Sequence, residues 1–369
     1  GRGLYIAGIE PRSGKSLVAL GLMELLSRRI RNVGYFRPVI PGGSEPDNNI
    51  RLIQSRYNLN LDYEEMYAYN HDVAQSMSTR GRQDAVFKTI LAKYRALTDK
   101  CKFVLCEGTD FTGVSSAFEF DFNADVANNL GCPVLVLVNG RDKTLEAIYK
   151  TVQVARESFQ SKGCTILATI VNRVDPTQMK QIDSHLSDLD SEKQPVYVLP
   201  EVPALGKPTV GDIAKALKAE ILQGGSDELN REINDFKVSA MTLPNFLEHL
   251  EDGDLIITPG DRADVILGSM AANVSEGHPS VAGLLLTGGL RPEAPIQRLM
   301  EGFRKQVPIP VIAVPTDTFK TALNASSVRP TLAPENHRKI AAALGTFETH
   351  VDFKNLEERI DVVRSKRVT

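Results

Sequence analysis

Cysteine and histidine are too few and too scattered in this chain to build a metal cluster. The four cysteines form no CxxC pair, have no histidine at ligand spacing, and are Cys101, Cys106, Cys132 and Cys164. Three of them lie in or beside apolar runs, which favours reduced core thiols in a cytoplasmic protein over a zinc site. The six histidines are dispersed along the sequence, which argues against a histidine-based catalytic triad.

Long apolar runs and an excess of one charge are also missing. The longest apolar runs, such as residues 133–138 and 281–286, are far too short to span a bilayer. The 43 Lys and Arg residues nearly balance the 46 Asp and Glu residues, so there is no electrostatic reason to expect nucleic acid or an anionic membrane as a partner. With 369 residues, of which 42% are hydrophobic and 24% charged, the composition is that of a soluble protein of two or more domains.

What the sequence does contain is a phosphate-binding loop near its start, where residues 8–16 read GIEPRSGKS. A strand-like segment precedes it and a long apolar helix follows, which is the context that a P-loop requires. Backbone N–H groups at the helix N-terminus bind phosphate oxygens, the lysine reaches the β- and γ-phosphates, and the serine hydroxyl joins the Mg²⁺ shell. The expected phosphate-binding residues are Gly8, Glu10, Arg12, Ser13, Gly14, Lys15 and Ser16. The alternative is a structural strand–helix turn that happens to read GKS.

Strand-like and helix-like segments alternate through the first two-thirds of the chain. This alternation predicts an α/β fold with a parallel sheet, flanking helices and right-handed crossovers. The predicted strands are residues 4–7, 33–38, 103–106, 134–138 and 165–171, and a second, smaller α/β unit has predicted strands at 255–258, 281–286 and 309–314. The Gly-Gly-Ser segment at 222–230 predicts a linker. The predicted boundaries are therefore a P-loop domain at 1–222, a linker at 223–230, a second domain at 231–345 and a charged tail at 346–369.

The loop has five residues between its two glycines, where the common P-loop pattern has four. This spacing and its strand context resemble dethiobiotin synthetase and its relatives, which are ATP-dependent P-loop enzymes that typically work as homodimers. Other segments that carry the resemblance are Phe36-Arg37-Pro38-Val39, Glu107-Gly108, Asn172-Arg173 and Pro200-Glu201-Val202-Pro203. The resemblance implies ATP and Mg²⁺ as ligands, with Arg37 and Asn172 at the nucleotide and Ser16, Asp47 and Glu107 at the metal.

Three positions depart from the dethiobiotin synthetase pattern. Arg37 stands where that family has its catalytic lysine, and an arginine keeps the charge but is no proton donor at neutral pH. Pro11 removes one backbone N–H from the loop. Thr109-Asp110-Phe111 replaces the family's Gly-rich stretch, and Phe111 would crowd a substrate there. These departures argue against dethiobiotin synthesis by this domain.

Two short motifs follow strands of the second unit. Asp261-Arg262 comes after residues 255–258, and Thr287-Gly288-Gly289 comes after residues 281–286. Since carboxyl ends of parallel strands meet at one sheet edge, the two motifs should lie together. They resemble the DRTGG domain; a pair of ordinary βα turns, with Asp261 as a helix cap, is the alternative.

A dethiobiotin synthetase-like domain followed by a DRTGG domain resembles the N-terminal part of the long-form phosphate acetyltransferase family. That family interconverts acetyl-CoA and phosphate with acetyl phosphate and CoA. The resemblance implies an acetyl-transfer domain after residue 369 of the same polypeptide, with a stand-alone two-domain relative as the alternative. It further implies assembly into a homo-oligomer and a chain that is not catalytic by itself. It also implies regulation by small anionic metabolites such as NADH, ATP, pyruvate and phosphoenolpyruvate. An ATP-dependent ligase acting on a carboxylate and a scaffold that binds no nucleotide are the alternative functions.

Overall fold

The computed structural model describes residues 3–43, 45–109, 116–191 and 194–365 and divides into two units. A seven-stranded parallel sheet forms the centre of the first unit. The first unit runs up to Val202 and resumes at Leu332, and the second is Pro203–Thr331. The strands of the first sheet, numbered along the chain, are β1 (Gly3–Gly8), β2 (Val33–Ile40), β3 (Tyr67–Asn70), β4 (Phe103–Glu107), β5 (Val134–Asn139), β6 (Ile166–Val174) and β7 (Val196–Pro200), in the spatial order β3-β2-β4-β1-β5-β6-β7.

The central strands of this sheet are buried because helices cover both of its faces. β1, β2 and β4 have every residue buried and are apolar except for Arg37 on β2 and Glu107 at the end of β4, which is close to the pattern typical of a parallel sheet. The helices of the first unit are α1 (Lys15–Arg29), α2 (Asn48–Tyr57), α3 (His71–Thr79), α4 (Gln83–Lys100), α5 (Ser116–Leu130), α6 (Leu145–Ser161), α7 (Met179–His185), α14 (His337–His350) and α15 (Phe353–Ser365).

The second unit is built on a five-stranded sheet with the order β8-β12-β11-β10-β9. Its strands are β8 (Glu220–Gln223), β9 (Asp235–Val238), β10 (Asp254–Pro259), β11 (Gly283–Thr287) and β12 (Val311–Ala313), of which β8 alone pairs antiparallel. Its helices are α8 (Val210–Ala216), α9 (Ser226–Leu229), α10 (Leu243–Glu248), α11 (Ala263–Val274), α12 (Ala294–Arg304) and α13 (Thr318–Ser326). The predicted fold class, a P-loop parallel sheet followed by a smaller α/β unit, is confirmed.

The boundaries between the two units differ from the predicted domain boundaries. The segment predicted as a linker lies inside the second unit, because β8 pairs with β12 and the Gln223 side chain donates a hydrogen bond to the Ile309 carbonyl over 2.9 Å. The segment predicted as a charged tail instead forms the end of α14 and α15 in the first unit, with Phe347, Leu356 and Ile360 buried. Among the helices that the structure describes, none combines the length and apolarity needed to cross a membrane.

Candidate functional site

The P-loop connects β1 to α1 through a backbone that requires glycine at one position. Gly14 precedes α1 in the left-handed region, with φ 86°, and a Cβ added there would lie 2.1 Å from Nδ2 of Asn172. Arg12 is also left-handed, with φ 58°. Left-handed residues within such a loop are typical of backbone concavities that bind anions. The first turn of α1 carries no acidic residue, so its N-terminal dipole is available to a phosphate.

The side chains around the loop come from the carboxyl ends of neighbouring strands. Lys15 is buried, and its ammonium donates to the backbone carbonyl of Thr109, just after β4, at 3.3 Å. Asn172, on β6, donates through Nδ2 to the Ser13 carbonyl at 3.0 Å. The structure therefore brings together the predicted residues Ser13, Gly14, Lys15 and Asn172 at one edge of the sheet.

Besides Nε of Arg37, three buried polar atoms near the loop have no hydrogen-bond partner among the residues that the structure describes. They are Oγ of Ser13, Oγ1 of Thr109 and Oδ1 of Asn172. An unpaired buried polar group costs about 1–3 kcal/mol, so such groups call for an explanation. Their grouping around a P-loop fits a ligand that offers both hydrogen-bond acceptors and donors.

Arg37, on β2, lies between the two carboxylates that the sequence assigned to a metal. Its Nη1 donates to Oδ2 of Asp47, and its Nη2 lies 3.3 Å from Oε1 of Glu107. All three side chains are buried. Burial alone would lower the pKa of Arg37, but the charges of Glu107 and Asp47 outweigh it and raise that pKa, so the guanidinium remains charged.

The carboxylate oxygens of this cluster also accept hydrogen bonds from other protein groups. Oδ1 of Asp47 accepts from the Ile50 N–H at 2.9 Å and caps α2. Oε1 of Glu107 accepts from Nδ2 of Asn49 at 2.8 Å, and Oε2 accepts from the Tyr35 hydroxyl. Burial and the charge of Glu107 raise the pKa of Tyr35, which keeps this hydroxyl a neutral donor.

Ser16 joins the same network, since its hydroxyl donates to Oδ1 of Asn49 at 3.0 Å. The predicted metal ligands Ser16, Asp47 and Glu107 are thus linked through Asn49 and Arg37. Mg²⁺ needs open oxygen ligands in near-octahedral geometry, whereas every carboxylate oxygen here already accepts from the protein. As arranged, these residues do not fit a magnesium ion, and their assignment to a metal stays a prediction. Tyr35 and Asn49 were not predicted from the sequence. The polar run that holds Asp47 and Asn49 is the sequence feature that points to Asn49.

The remaining predicted loop residues are held by partners of their own. The carboxylate of Glu10 pairs with the ammonium of Lys143. Arg173 binds Glu201 through two hydrogen bonds of 2.8 and 3.1 Å and donates to the Arg12 carbonyl at 3.1 Å. The Asn172-Arg173 and Pro200-Glu201-Val202-Pro203 segments, which carry the family resemblance, therefore meet the P-loop, while the role of Asn172 towards a nucleotide stays a prediction. Asp110 and Phe111 lie outside the described residues.

In the second unit, the DR and TGG motifs lie side by side. Asp261-Arg262 follows β10, Thr287 ends its parallel neighbour β11, and Gly288 and Gly289 are left-handed, with φ 78° and 66°. Arg262 binds Asp264 through two contacts of 2.9 Å, and the Thr287 hydroxyl contacts that of Thr318 at 2.7 Å.

Gly260 sets how closely these two motifs pack. A Cβ added at Gly260 would lie 2.0 Å from the Leu290 carbonyl oxygen, which is backbone and cannot rotate away. We expect Gly260→Ala to destabilise the second unit by about 1–3 kcal/mol through overpacking. Faster hydrogen–deuterium exchange of the β10 and β11 amides would measure this.

Gly302, in α12 of the same unit, is the matched control. A Cβ added there meets nothing within 4 Å. Gly302→Ala should therefore leave exchange unchanged or slow it, since alanine is the better helix former by about 0.5–1 kcal/mol. Equal exchange rates in Gly260→Ala and the wild type would contradict the close packing of the motifs.

Comparisons with known proteins match both units. The AAA domain family matches residues 2–222, and the DRTGG domain matches residues 212–328. The chain is 41% identical over 373 residues to the phosphate acetyltransferase of Nitratidesulfovibrio vulgaris and 35% identical over 370 residues to that of Synechocystis sp.. Each match covers 99% of the chain and 53% of the relative, so the chain spans about half the length of these curated relatives.

A solved structure was also matched, that of the CBS and DRTGG domains of the regulatory region of Clostridium perfringens pyrophosphatase complexed with its activator, diadenosine tetraphosphate. It is 26% identical, covers 34% of this chain and 48% of its own, and has a TM-score of 0.27. A TM-score this low supports no structural argument.

Proposed function

Because the chain belongs to the AAA domain family and carries a DRTGG domain behind it, we propose that it is the anion-binding, regulatory N-terminal part of a phosphate acetyltransferase. The reaction, which converts acetyl-CoA and phosphate to acetyl phosphate and CoA, would belong to an acetyl-transfer domain of the same polypeptide. The proposed ligands are ATP or other small anionic metabolites, and a homo-oligomer is the proposed assembly.

The observation that carries this proposal is the salt-bridge cluster beside an intact P-loop. Gly14 and Lys15 keep the backbone geometry and the cation that hold a phosphate. Beside them, Arg37 pairs with both carboxylates that a phosphoryl-transfer site would need for its metal. The site therefore favours binding of a phosphate group over its transfer, as a sensor requires.

The same helices that border the site also contact the segment that returns from Leu332 onward. On α1, Gly21 packs against Phe347, and Arg28 pairs with Glu348 at 2.6 Å. At the start of α2, beside Asp47, Asn48 donates to the Leu332 carbonyl at 2.9 Å. A ligand that stabilises α1 and α2 would therefore also stabilise this segment, and such linked stabilisation is the route that we propose for allosteric coupling.

Calorimetric titration of the whole chain with ATP, with excess Mg²⁺ and separately with EDTA, tests the proposal. We expect saturable binding under both conditions and at least a tenfold loss of affinity in Lys15→Ala, since a hydrogen bond to a charged group contributes about 1.5–3 kcal/mol. Lys150→Ala removes an exposed cation from α6 and should leave affinity unchanged. If neither ATP nor NADH binds at millimolar concentration, the scaffold alternative replaces this proposal.

A further inference from the structure

Both backbone polar groups of Thr109, just after β4, are bonded to one buried side chain. Asn123, on α5 and fully buried, accepts from the Thr109 N–H through Oδ1 and donates to the Thr109 carbonyl through Nδ2, each at 3.1 Å. Its Oδ1 also accepts from the Tyr5 hydroxyl at 2.8 Å, and its Nδ2 donates to the Glu119 carbonyl at 3.1 Å. The backbone N–H of Thr109 can only donate, so the orientation of the Asn123 amide is fixed by its partners.

This clamp extends to the P-loop lysine. The Thr109 carbonyl that Asn123 holds also accepts from the Lys15 ammonium at 3.3 Å. Tyr5, Asn123, Thr109 and Lys15 thus form a hydrogen-bonded chain from the buried strand β1 to the phosphate-binding cation. This chain holds the Lys15 ammonium at the carboxyl end of β4, beside the P-loop.

The side-chain hydroxyl of Thr109 takes no part in this hydrogen-bonded chain. Oγ1 of Thr109 is buried and has no partner in the part of the chain that the structure describes, although Thr109's own N–H and carbonyl are both bonded. Covalent geometry keeps this hydroxyl within a few ångströms of the carbonyl that contacts Lys15. A rigidly held donor next to a phosphate-binding ammonium is suited to an anionic oxygen, to which hydrogen bonds are about twice as strong as to a neutral one.

We propose that the Thr109 hydroxyl donates a hydrogen bond to the outermost phosphate of the P-loop ligand, and that Asn123 is the residue that positions it. The inference rests on the proposed function, because it needs a phosphate in the loop. In a P-loop the lysine reaches the β- and γ-phosphates, and Thr109 lies at the lysine's ammonium. The Thr109 hydroxyl therefore favours binding of a triphosphate over binding of a diphosphate, which makes Thr109 a specificity-determining residue.

Titration of the whole chain with ATP and with ADP separates this proposal from the one it rests on. Thr109→Val keeps the shape of the side chain and removes its hydroxyl, so ATP affinity should fall about tenfold or more while ADP affinity changes about threefold or less. Thr109→Ser keeps the hydroxyl and should retain the wild-type preference for ATP. Equal losses for ATP and ADP, or none, would overturn the role of Thr109 while leaving the proposed function in place. A wild-type chain that binds neither nucleotide would overturn both.

The positioning role of Asn123 has its own readout in the ratio of ATP to ADP affinity. Asn123→Asp replaces the donor that faces the Thr109 carbonyl with an acceptor and should lower this ratio about tenfold. Because that variant buries a charge and can fail to fold, Tyr5→Phe probes the same chain by removing only the hydroxyl bonded to Asn123. It should lower the ratio by about twofold or more with ADP affinity retained. An unchanged ratio in folded Tyr5→Phe and an unchanged ratio in Asn123→Asp would each remove Asn123 from the proposal.

Discussion

Replacing Arg37 with alanine is expected to lower the free energy of unfolding of the first unit by about 3–5 kcal/mol, the cost typical of removing one partner from a buried ion pair. The substitution leaves Asp47 and Glu107 close together and buried with no guanidinium between them. The chain has no tryptophan, and its nine tyrosines all precede residue 203. Tyrosine fluorescence during urea unfolding therefore reports on the first unit.

Arg51→Ala is the matched control, because Arg51 belongs to the same unit and pairs with Glu335 at 2.8 Å while partly exposed. It should cost about 1 kcal/mol or less. Wild-type stability in Arg37→Ala would show that the two carboxylates do not depend on Arg37.

The parts of this site that follow from local sequence were predictable, and those that depend on distant partners were not. The glycines, Lys15 and the flanking strand and helix of the P-loop lie within one continuous segment, so their spacing alone indicates phosphate binding. Arg37, Asp47 and Glu107 come from three segments. Their sequence positions predict that they lie near one another, but cannot tell whether the two carboxylates face a metal or a guanidinium.

Other elements were not predicted because their polar or charged composition gives no sign of the distant segments against which they pack. The Gly-Gly-Ser segment is polar, yet β8, which leads into it, pairs with β12, a strand that lies far along the sequence at Val311–Ala313. The charged residues after 350 dominate α15, yet Leu356 and Ile360 lie on one helical face and are buried. Strands β3 and β7, at the two edges of the first sheet, were also not predicted.

Phe347→Ala is expected to destabilise the first unit by about 3–5 kcal/mol, as truncation of a buried aromatic side chain typically does. Phe347 is fully buried, and a Cβ added to Gly21 of α1 would lie only 2.2 Å from its ring, so the ring occupies the space that this glycine leaves. Urea unfolding followed by tyrosine fluorescence measures the loss. Val154→Ala trims an apolar side chain that is 51% exposed on α6 of the same unit, and should change stability by about 0.5 kcal/mol or less.

The same variant tests the proposed coupling, because α1 carries both the N-terminus that we propose to bind phosphate and the surface on which Phe347 packs. If ligand binding and the docking of α14 stabilise each other, loosening α14 must weaken ATP binding by the same coupling free energy with which ATP stabilises α14. Phe347→Ala should therefore lower ATP affinity, and ATP should protect the α14 amides of the wild type from hydrogen exchange. A destabilised Phe347→Ala that binds ATP as tightly as the wild type would mean that α14 is only a structural support for α1, and the regulatory signal would have to leave the P-loop by another route.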